Sequence, residues 1–390
     1  MNAKKTYVLF SAILAASSFF HAATYVPFLI QIGLNFSQIA FINAAFWLMI
    51  AVLELPTGMF ADRISRSTAL GAGMLCYTAG LTFYGFFVHS MWGALLAEVM
   101  IGAGYAFLSG VQEAWLTDTL AVQNKAGQLR STLAAASAAD GIAAIPCAVV
   151  GGWWAEVYGL PSAWWVSAAI AIINCLLVWR HMRLSGDPIT KLNEWEALRQ
   201  SVQALRNSKP LRWITGVSCL FAFVIPLNHY WAPFFQGRGV NIGSLSYVFG
   251  AMYGASAIGS LIVRRGWLRG SDERWLIIST LFAGCGLALM GWLPGIALPI
   301  FAGCLHNMGR GSFRPLLGAY TQHHIESGYR ATYGSLQSFV GRCANGVVLL
   351  MVTWFLTGRS GEQGIKLTWT ICGLSLVALT WFFHTRRPKT

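Results

Sequence analysis

Apolar runs of about twenty residues, nearly free of charge, recur along the whole sequence, and each is long enough to cross a bilayer as a helix. They fall at about 6–32, 37–56, 68–88, 91–113, 130–152, 162–180, 211–235, 243–263, 275–293, 296–317, 331–356 and 366–384. Only 11% of the residues are charged, whereas soluble domains carry about 25%. The sequence therefore predicts an all-α membrane protein with twelve transmembrane helices.

The basic residues are concentrated at one set of run ends. The net charge is +13, and 22 of the 27 Lys and Arg residues fall on the side that holds the N-terminus. Arg238, Arg359 and Lys366 lie on the opposite side, while Arg310 and Arg342 lie inside runs. The positive-inside rule then predicts both termini in the cytoplasm, and we expect an integral protein of the bacterial inner membrane. Because topology explains the charge, no nucleic-acid partner is expected.

The runs divide into two sets of six around one long polar stretch. We predict an N-terminal six-helix bundle at 1–186, a cytoplasmic amphipathic linker at 187–210 and a C-terminal six-helix bundle at 211–390. Apolar residues in the linker recur at three- and four-residue steps, which is typical of a helix at a membrane surface. A constant shift of 201 residues superposes the two halves and pairs Gly58 with Gly259. This register indicates a duplicated bundle.

The turn between the second and third runs, Leu53 to Leu70, is rich in small and charged residues. Gly58 would let two helices approach closely, and Asp62 can accept hydrogen bonds from a helix N-terminus. Arg63 and Arg66 would hold the cytoplasmic face. The spacing Gly58-x-x-x-Asp62-Arg63-x-x-Arg66 resembles the signature of the major facilitator superfamily of transporters, which carries Gly in the place of Ser65. An ordinary basic cytoplasmic turn is the alternative.

The resemblance covers essentially the whole chain and carries expectations about mechanism. It implies two parallel six-helix repeats with a substrate site between them, lined by the first, fourth, seventh and tenth helices. It further implies a secondary transporter that works by alternating access on a small-molecule substrate, with protons as the driving partner. We expect a functional monomer in the lipid bilayer.

Opposite charges occupy equivalent positions in the two halves. Under the shift of 201 residues, Glu113 superposes on Arg314. We predict that these two residues pair and belong to the gating motif, together with Gly58, Asp62, Arg63 and Arg66. The alternative is that both residues are solvated by lipid headgroups.

Polar and basic residues inside the runs predict a substrate site. His306, Arg310 and Arg314 repeat at four-residue steps, so they share one face of the tenth helix. Arginine suits carboxylate or phosphate groups. The substrate-binding candidates are His21, Asn228, His229, Trp231, His306, Arg310 and Arg342. In the alternative interpretation, Arg310 and Arg342 pair permanently with Glu98 or Asp140.

Acidic residues inside the first half are candidates for proton coupling. They are Asp140, Glu98 and Glu54, and a carboxyl group with few partners in an apolar surrounding favours its protonated form. Proton-coupled members of the superfamily carry Arg in an R-x-x-x-G-x-G pattern where this chain has Glu98. Asp140, near the middle of its run, is the stronger candidate. Its alternative is a structural hydrogen bond to a neighbouring Ser.

No motif for catalysis is present in the sequence. There is no nucleophile elbow or phosphate-binding loop, and the eight cysteines stand singly within apolar segments. His323 and His324 are adjacent, so their side chains would point apart rather than bind one metal. We expect no enzyme activity, no cofactor and no metal.

The sequence favours a proton-driven secondary transporter for a small organic anion, such as a carboxylate metabolite or a carboxylate siderophore. Two alternatives remain open. The many aromatic residues, 17 Trp and 24 Phe, would equally suit an exporter of amphipathic drugs. A non-transporting membrane receptor could also use the same fold.

Overall fold

The computed structural model describes residues 2–63, 65–109, 111–182, 194–264, 271–325, 330–359 and 361–388. The described residues are almost entirely helical. The α-helices are α1 (Ala3–Phe20), α2 (Tyr25–Gln31), α3 (Phe36–Arg63), α4 (Arg66–Phe87), α5 (Met91–Leu108), α6 (Val111–Val122), α7 (Leu129–Tyr158), α8 (Leu160–His181), α9 (Glu194–Asn207), α10 (Lys209–Leu220), α11 (Ile225–Gln236), α12 (Ile242–Arg264), α13 (Asp272–Met290), α14 (Ala297–His323), α15 (Arg330–Leu356) and α16 (Gly361–Thr385). Short 3₁₀ helices lie at Ala126–Gln128 and Phe221–Val224.

Eleven stretches of the described residues are long and apolar enough to cross a membrane. They correspond to eleven of the twelve predicted spans. The remaining predicted span, the tenth, is the 27-residue helix α14. It is not among the eleven, and it is the helix that carries His306, Arg310 and Arg314.

The first and seventh predicted spans are broken, where the sequence predicts continuous helices. The first is interrupted at residues 21–24 and the seventh at the 3₁₀ helix Phe221–Val224. Proline stands near the start of each following helix, Pro27 in α2 and Pro226 in α11. A proline has no N–H to donate to the preceding turn, so a helix can restart at it without losing a bond.

The turn predicted at Leu53 to Leu70 is shorter than expected, because α3 continues through Pro56 as far as Arg63. Pro56 removes one backbone donor from this helix. The Thr57 hydroxyl group lies 2.8 Å from the Leu53 carbonyl oxygen and 3.0 Å from that of Ala106 on α5. Gly58, Asp62 and Arg63 are therefore helical, although their side chains lie outside the described part of the structure.

The chain divides into two compact units. Unit 1 contains residues 1–38, 45–191 and 241–249, and unit 2 contains residues 39–44, 192–240 and 250–390. In unit 1, α4 packs against α5 and α8, while α1 packs against α7 and α8. A Cβ atom added at Gly104 of α5 would lie 2.7 Å from the Tyr77 backbone nitrogen of α4. Small residues thus set the spacing of this helix pair.

In unit 2, α13 packs against α14 and α16. Gly284 of α13 and Gly373 of α16 face each other at the second of these contacts. Several helix bounds follow the shift read from the sequence: α15 begins 201 residues after α7, and α16 begins 201 residues after α8. The end of the predicted linker forms α9, whereas its first residues, 187–193, lie outside the described residues.

Candidate functional site

Arg310 and Asn228 form the polar centre of unit 2. The Arg310 Nη1 atom donates a hydrogen bond of 2.6 Å to the Asn228 Oδ1 atom. Asn228 lies in the first turn of α11, just after the break in the seventh span. The break therefore positions this amide against α14.

Arg310 has no acidic partner in the described part of the chain. The ion pairs found there involve Arg66, Arg238 and Lys366, and none includes Arg310. The nearby charge on its own helix is Arg314, which is also cationic. A partly buried guanidinium group whose partner is a neutral amide keeps an uncompensated charge. This arrangement can accept an anionic group.

Both histidines of this region are buried. His306 is fully buried, and its Nδ1 atom lies 2.7 Å from the Ala283 carbonyl oxygen on α13. His229 is also buried, and both rings lie within electrostatic reach of the Arg310 charge. The structure thus brings together four of the predicted substrate-binding residues: Asn228, His229, His306 and Arg310.

The remaining predicted residues of unit 2 lie on α11, α14 and α15. Trp231 is buried on α11, and Arg342 is half-buried on α15. Arg314 is exposed on α14.

Glu98 and Tyr84 form the corresponding centre of unit 1. Glu98 is only 6% exposed, and the Tyr84 hydroxyl group donates to its Oε1 atom at 2.9 Å. Tyr84 stacks on Trp164 of α8 with a centroid distance of 4.1 Å. His21 stacks on the same Trp164 ring, also at 4.1 Å, and its Nδ1 atom lies 3.0 Å from the Ser167 hydroxyl oxygen.

Sequence reasoning missed Tyr84 and Trp164. Both are buried aromatic residues in a chain with 14% aromatic content, so nothing in their spacing distinguishes them. Tyr84 lies on α4, directly before the helix that carries Glu98, whereas Trp164 lies on α8, far from both Glu98 and His21 in the chain. Only the packing of α1, α4, α5 and α8 brings these four residues together.

The two further acidic candidates have different surroundings. Asp140 lies on α7, and its buried Oδ1 atom accepts no hydrogen bond from the described residues. Glu54 lies on α3, and its Oε1 atom accepts a long hydrogen bond of 3.4 Å from the Ser109 hydroxyl group.

Arg66 of the predicted gating motif is held by α6. Its Nη1 atom lies 2.5 Å from the Asp118 Oδ2 atom and donates to the Ala114 carbonyl oxygen at 2.6 Å. Asp118 is a further residue that sequence reasoning did not select. Glu113, on the same helix, is exposed. Its pairing with Arg314 stays a prediction.

Comparison with known proteins places this fold among transporters. The solved nucleoside transporter NupG, in a mutant form, has a TM-score of 0.83 at 12% identity, covering 99% of this chain and 100% of that one. A POT family transporter in complex with 5-aminolevulinic acid has a TM-score of 0.76 at 10% identity, covering 98% and 95%. A mutant peptide transporter POT in complex with sulfate has a TM-score of 0.78 at 12% identity, covering 98% and 93%. At these identities the likeness shows the fold alone.

Relatives found by sequence cover smaller shares of this chain than the solved structures do. An uncharacterized MFS-type transporter of Bacillus subtilis, YxaM, is 20% identical over 85% of this chain and 84% of its own length. An uncharacterized transporter of Buchnera aphidicola is 24% identical over 37% of this chain, and the match spans about a third, 35%, of that relative.

The family model described as Major Facilitator Superfamily matches residues 8–349. That match spans most of the chain, and it agrees with the helical membrane fold and with the solved structures of similar fold. The chain belongs to the Major Facilitator Superfamily.

Proposed function

We propose that this protein is a secondary transporter that moves a small organic anion by alternating access and is driven by protons. The proposal of an anionic solute rests on the Arg310 guanidinium group, which is partly buried and hydrogen bonded to the neutral Asn228 amide. Arginine offers paired donors that match a carboxylate or phosphate group. A solute carrying such a group would supply the missing negative charge.

Two of the solved structures of similar fold support this choice of solute. One of those proteins holds 5-aminolevulinic acid, which carries a carboxyl group, and another holds sulfate. Carboxylate metabolites and carboxylate siderophores are the solutes we propose for this chain.

A thermal-shift screen of the purified protein tests whether it binds an organic anion. The panel contains organic carboxylates, phosphate esters and lipophilic cations, because a ligand that binds the native state raises its melting temperature. We expect stabilisation by an organic anion that disappears in Arg310→Gln. The matched control is Arg359→Gln, since Arg359 is exposed just after α15 and donates to the Phe355 carbonyl oxygen of that helix.

Two outcomes would contradict the proposal. Stabilisation by anions that survives Arg310→Gln would make the arginine structural. Stabilisation by lipophilic cations alone, dependent on Glu98 or Asp140, would favour an exporter of amphipathic compounds.

We now take Glu98 rather than Asp140 as the proposed proton carrier, because Glu98 is buried whereas Asp140 is half-buried, and Glu98 has a hydroxyl partner but no ion pair in the described residues. Flux of the anion identified by the screen, measured into proteoliposomes, should rise with an imposed proton gradient. Glu98→Gln should abolish that dependence while binding of the anion persists. Binding without flux in the unaltered protein would instead favour a receptor.

We also propose that the protein lies in the bacterial inner membrane as a functional monomer with both termini in the cytoplasm. The bias of Lys and Arg supports this orientation. A green fluorescent protein fused to the C-terminus should fluoresce, because it folds in the cytoplasm and not after export. Dark fusions with active alkaline phosphatase at the same place would reverse the topology.

A further inference from the structure

Three stacked rings connect Glu98 to the break in the first membrane-spanning segment. Tyr84 donates a hydrogen bond to Glu98 and lies nearly parallel to Trp164, with an interplanar angle of 11°. Trp164 also stacks with His21 at an interplanar angle of 23°. His21 is the first residue after α1, at the break that separates α1 from α2.

Hydrogen bonds hold the stack at its two ends and not at its centre. Tyr84 is tied to Glu98, and His21 is tied to Ser167. The Trp164 indole N–H group is buried and has no hydrogen-bond acceptor in the part of the chain that the structure describes. Trp164 is fully buried and also contacts Tyr25 and Phe28 of α2, each at a ring-centroid distance of 5.9 Å, so it joins the stack to the helix that follows the break.

The groups that face Glu98 are neutral. They are Tyr84 from α4, Tyr25 from α2 and Tyr105 from α5 itself. His21 lies beyond Trp164, at the far end of the stack. No described Lys, Arg or His residue forms an ion pair with Glu98. The charge on the carboxyl group is therefore balanced mainly through hydroxyl hydrogen bonds.

We propose that the stack of Tyr84, Trp164 and His21 couples the protonation of Glu98 to the conformation of the break at residues 21–24. An ionised carboxylate accepts a strong hydrogen bond from the Tyr84 hydroxyl group. The protonated carboxyl group is a weaker acceptor and can itself donate, so Tyr84 changes position. Trp164 follows Tyr84, and His21 follows Trp164. Tyr84 and Trp164 are then positioning residues of proton coupling.

The break at residues 21–24 is the element that we expect to change conformation when His21 moves. It contains i to i−3 hydrogen bonds, from Ala22 N to Phe19 O at 3.1 Å and from Thr24 N to His21 O at 3.0 Å. Such i to i−3 turns have poorer hydrogen-bond geometry than a continuous α-helix, so this is the place in the segment where we expect a rearrangement. The inference rests on the proposed proton role of Glu98, but its experiment needs no transported solute.

Fluorine NMR of protein labelled with 5-fluorotryptophan tests whether Trp164 responds to the protonation of Glu98. Trp164→Phe assigns one of the 17 tryptophan resonances. We expect that resonance to shift with pH in the unaltered protein, to lose the shift in Glu98→Gln, and to lose most of it in Tyr84→Phe, which keeps the ring and removes the hydroxyl group. His21→Gln should keep the pH dependence. A shift that persists in Glu98→Gln, or that vanishes in His21→Gln, would overturn the proposal.

Hydrogen exchange followed by mass spectrometry tests, at a single pH, whether the state of Glu98 changes the conformation of the break at residues 21–24. Glu98→Gln mimics the protonated carboxyl group and should change deuterium uptake in the peptide that contains residues 21–24. Tyr84→Phe should have the same effect, and it carries the test if Glu98→Gln fails to fold. The peptide over the other break, residues 221–224, is the internal control. Equal uptake at residues 21–24 in all variants would refute the coupling, and would leave anion transport to be judged by the screen.

Discussion

Arg66 and Asp118 form an ion pair in which the Arg66 Nη1 atom lies 2.5 Å from the Asp118 Oδ2 atom. Arg66 is the first residue of α4, where the helix dipole disfavours a positive charge. The Asp118 carboxylate, on α6, compensates for that placement. One arginine of the predicted gating motif therefore joins two helices of the same unit.

We predict that Asp118→Asn destabilises the protein by about 1–3 kcal/mol, because it removes a charged acceptor from a partly buried guanidinium group. The measurement is thermal unfolding in one detergent. Glu113→Gln is the matched control on the same helix, since Glu113 is exposed, and it should change stability by less than about 0.5 kcal/mol. Equal effects of the two variants would show that the ion pair contributes nothing specific.

The close approach of α4 and α5 gives a second prediction. A Cβ atom at Gly104 would lie 2.7 Å from the Tyr77 backbone nitrogen, which cannot move without shifting α4. Gly104→Ala should therefore lower stability by about 1–3 kcal/mol through overpacking. Gly71→Ala on α4 is the control, because no atom lies within 4 Å of its added Cβ. If both variants melt together with the unaltered protein, the two helices can separate freely.

The sequence predicts the helices well because membrane spans are encoded locally, as runs of apolar residues. It does not predict the breaks at residues 21–24 and 221–224, since each lies inside a longer apolar run and a proline in a membrane helix does not by itself end it. It selects Glu98, Arg310 and Asn228 because polar groups are rare within spans. Their surroundings depend on which helices meet, and no spacing along the chain records that Tyr84 lies against Glu98.

Arg238 offers a third prediction, about the difference between arginine and lysine. Its guanidinium group bonds to Glu362 at 3.2 Å and to the carbonyl oxygens of Leu293, Gly295 and Gly291 at 2.7, 2.6 and 3.3 Å. Lysine has a single charged nitrogen and cannot reach all four acceptors. Arg238→Lys should therefore cost about 1–3 kcal/mol in thermal unfolding.

The control for Arg238 is Arg359→Lys, because Arg359 is exposed and donates to one carbonyl oxygen, that of Phe355. That variant should unfold at nearly the same temperature as the unaltered protein. Tolerance of lysine at both positions would mean that charge alone, and not the shape of the guanidinium group, is needed at position 238.

Asn228 provides the sharpest separation of a structural from a functional role for Arg310. In Asn228→Asp the new carboxylate would replace the amide oxygen that lies 2.6 Å from Arg310 Nη1, and would neutralise the guanidinium charge internally. We expect a melting temperature equal to or above that of the unaltered protein, because a charge-assisted hydrogen bond replaces a neutral one. The apparent affinity for the organic anion, measured from its stabilising effect, should at the same time fall at least tenfold, which is about 1.4 kcal/mol of binding free energy. Asn228→Ser, which keeps a neutral acceptor, should retain more of the anion effect. If Asn228→Asp binds the anion as well as the unaltered protein does, the Arg310 charge serves the fold and the solute is bound elsewhere.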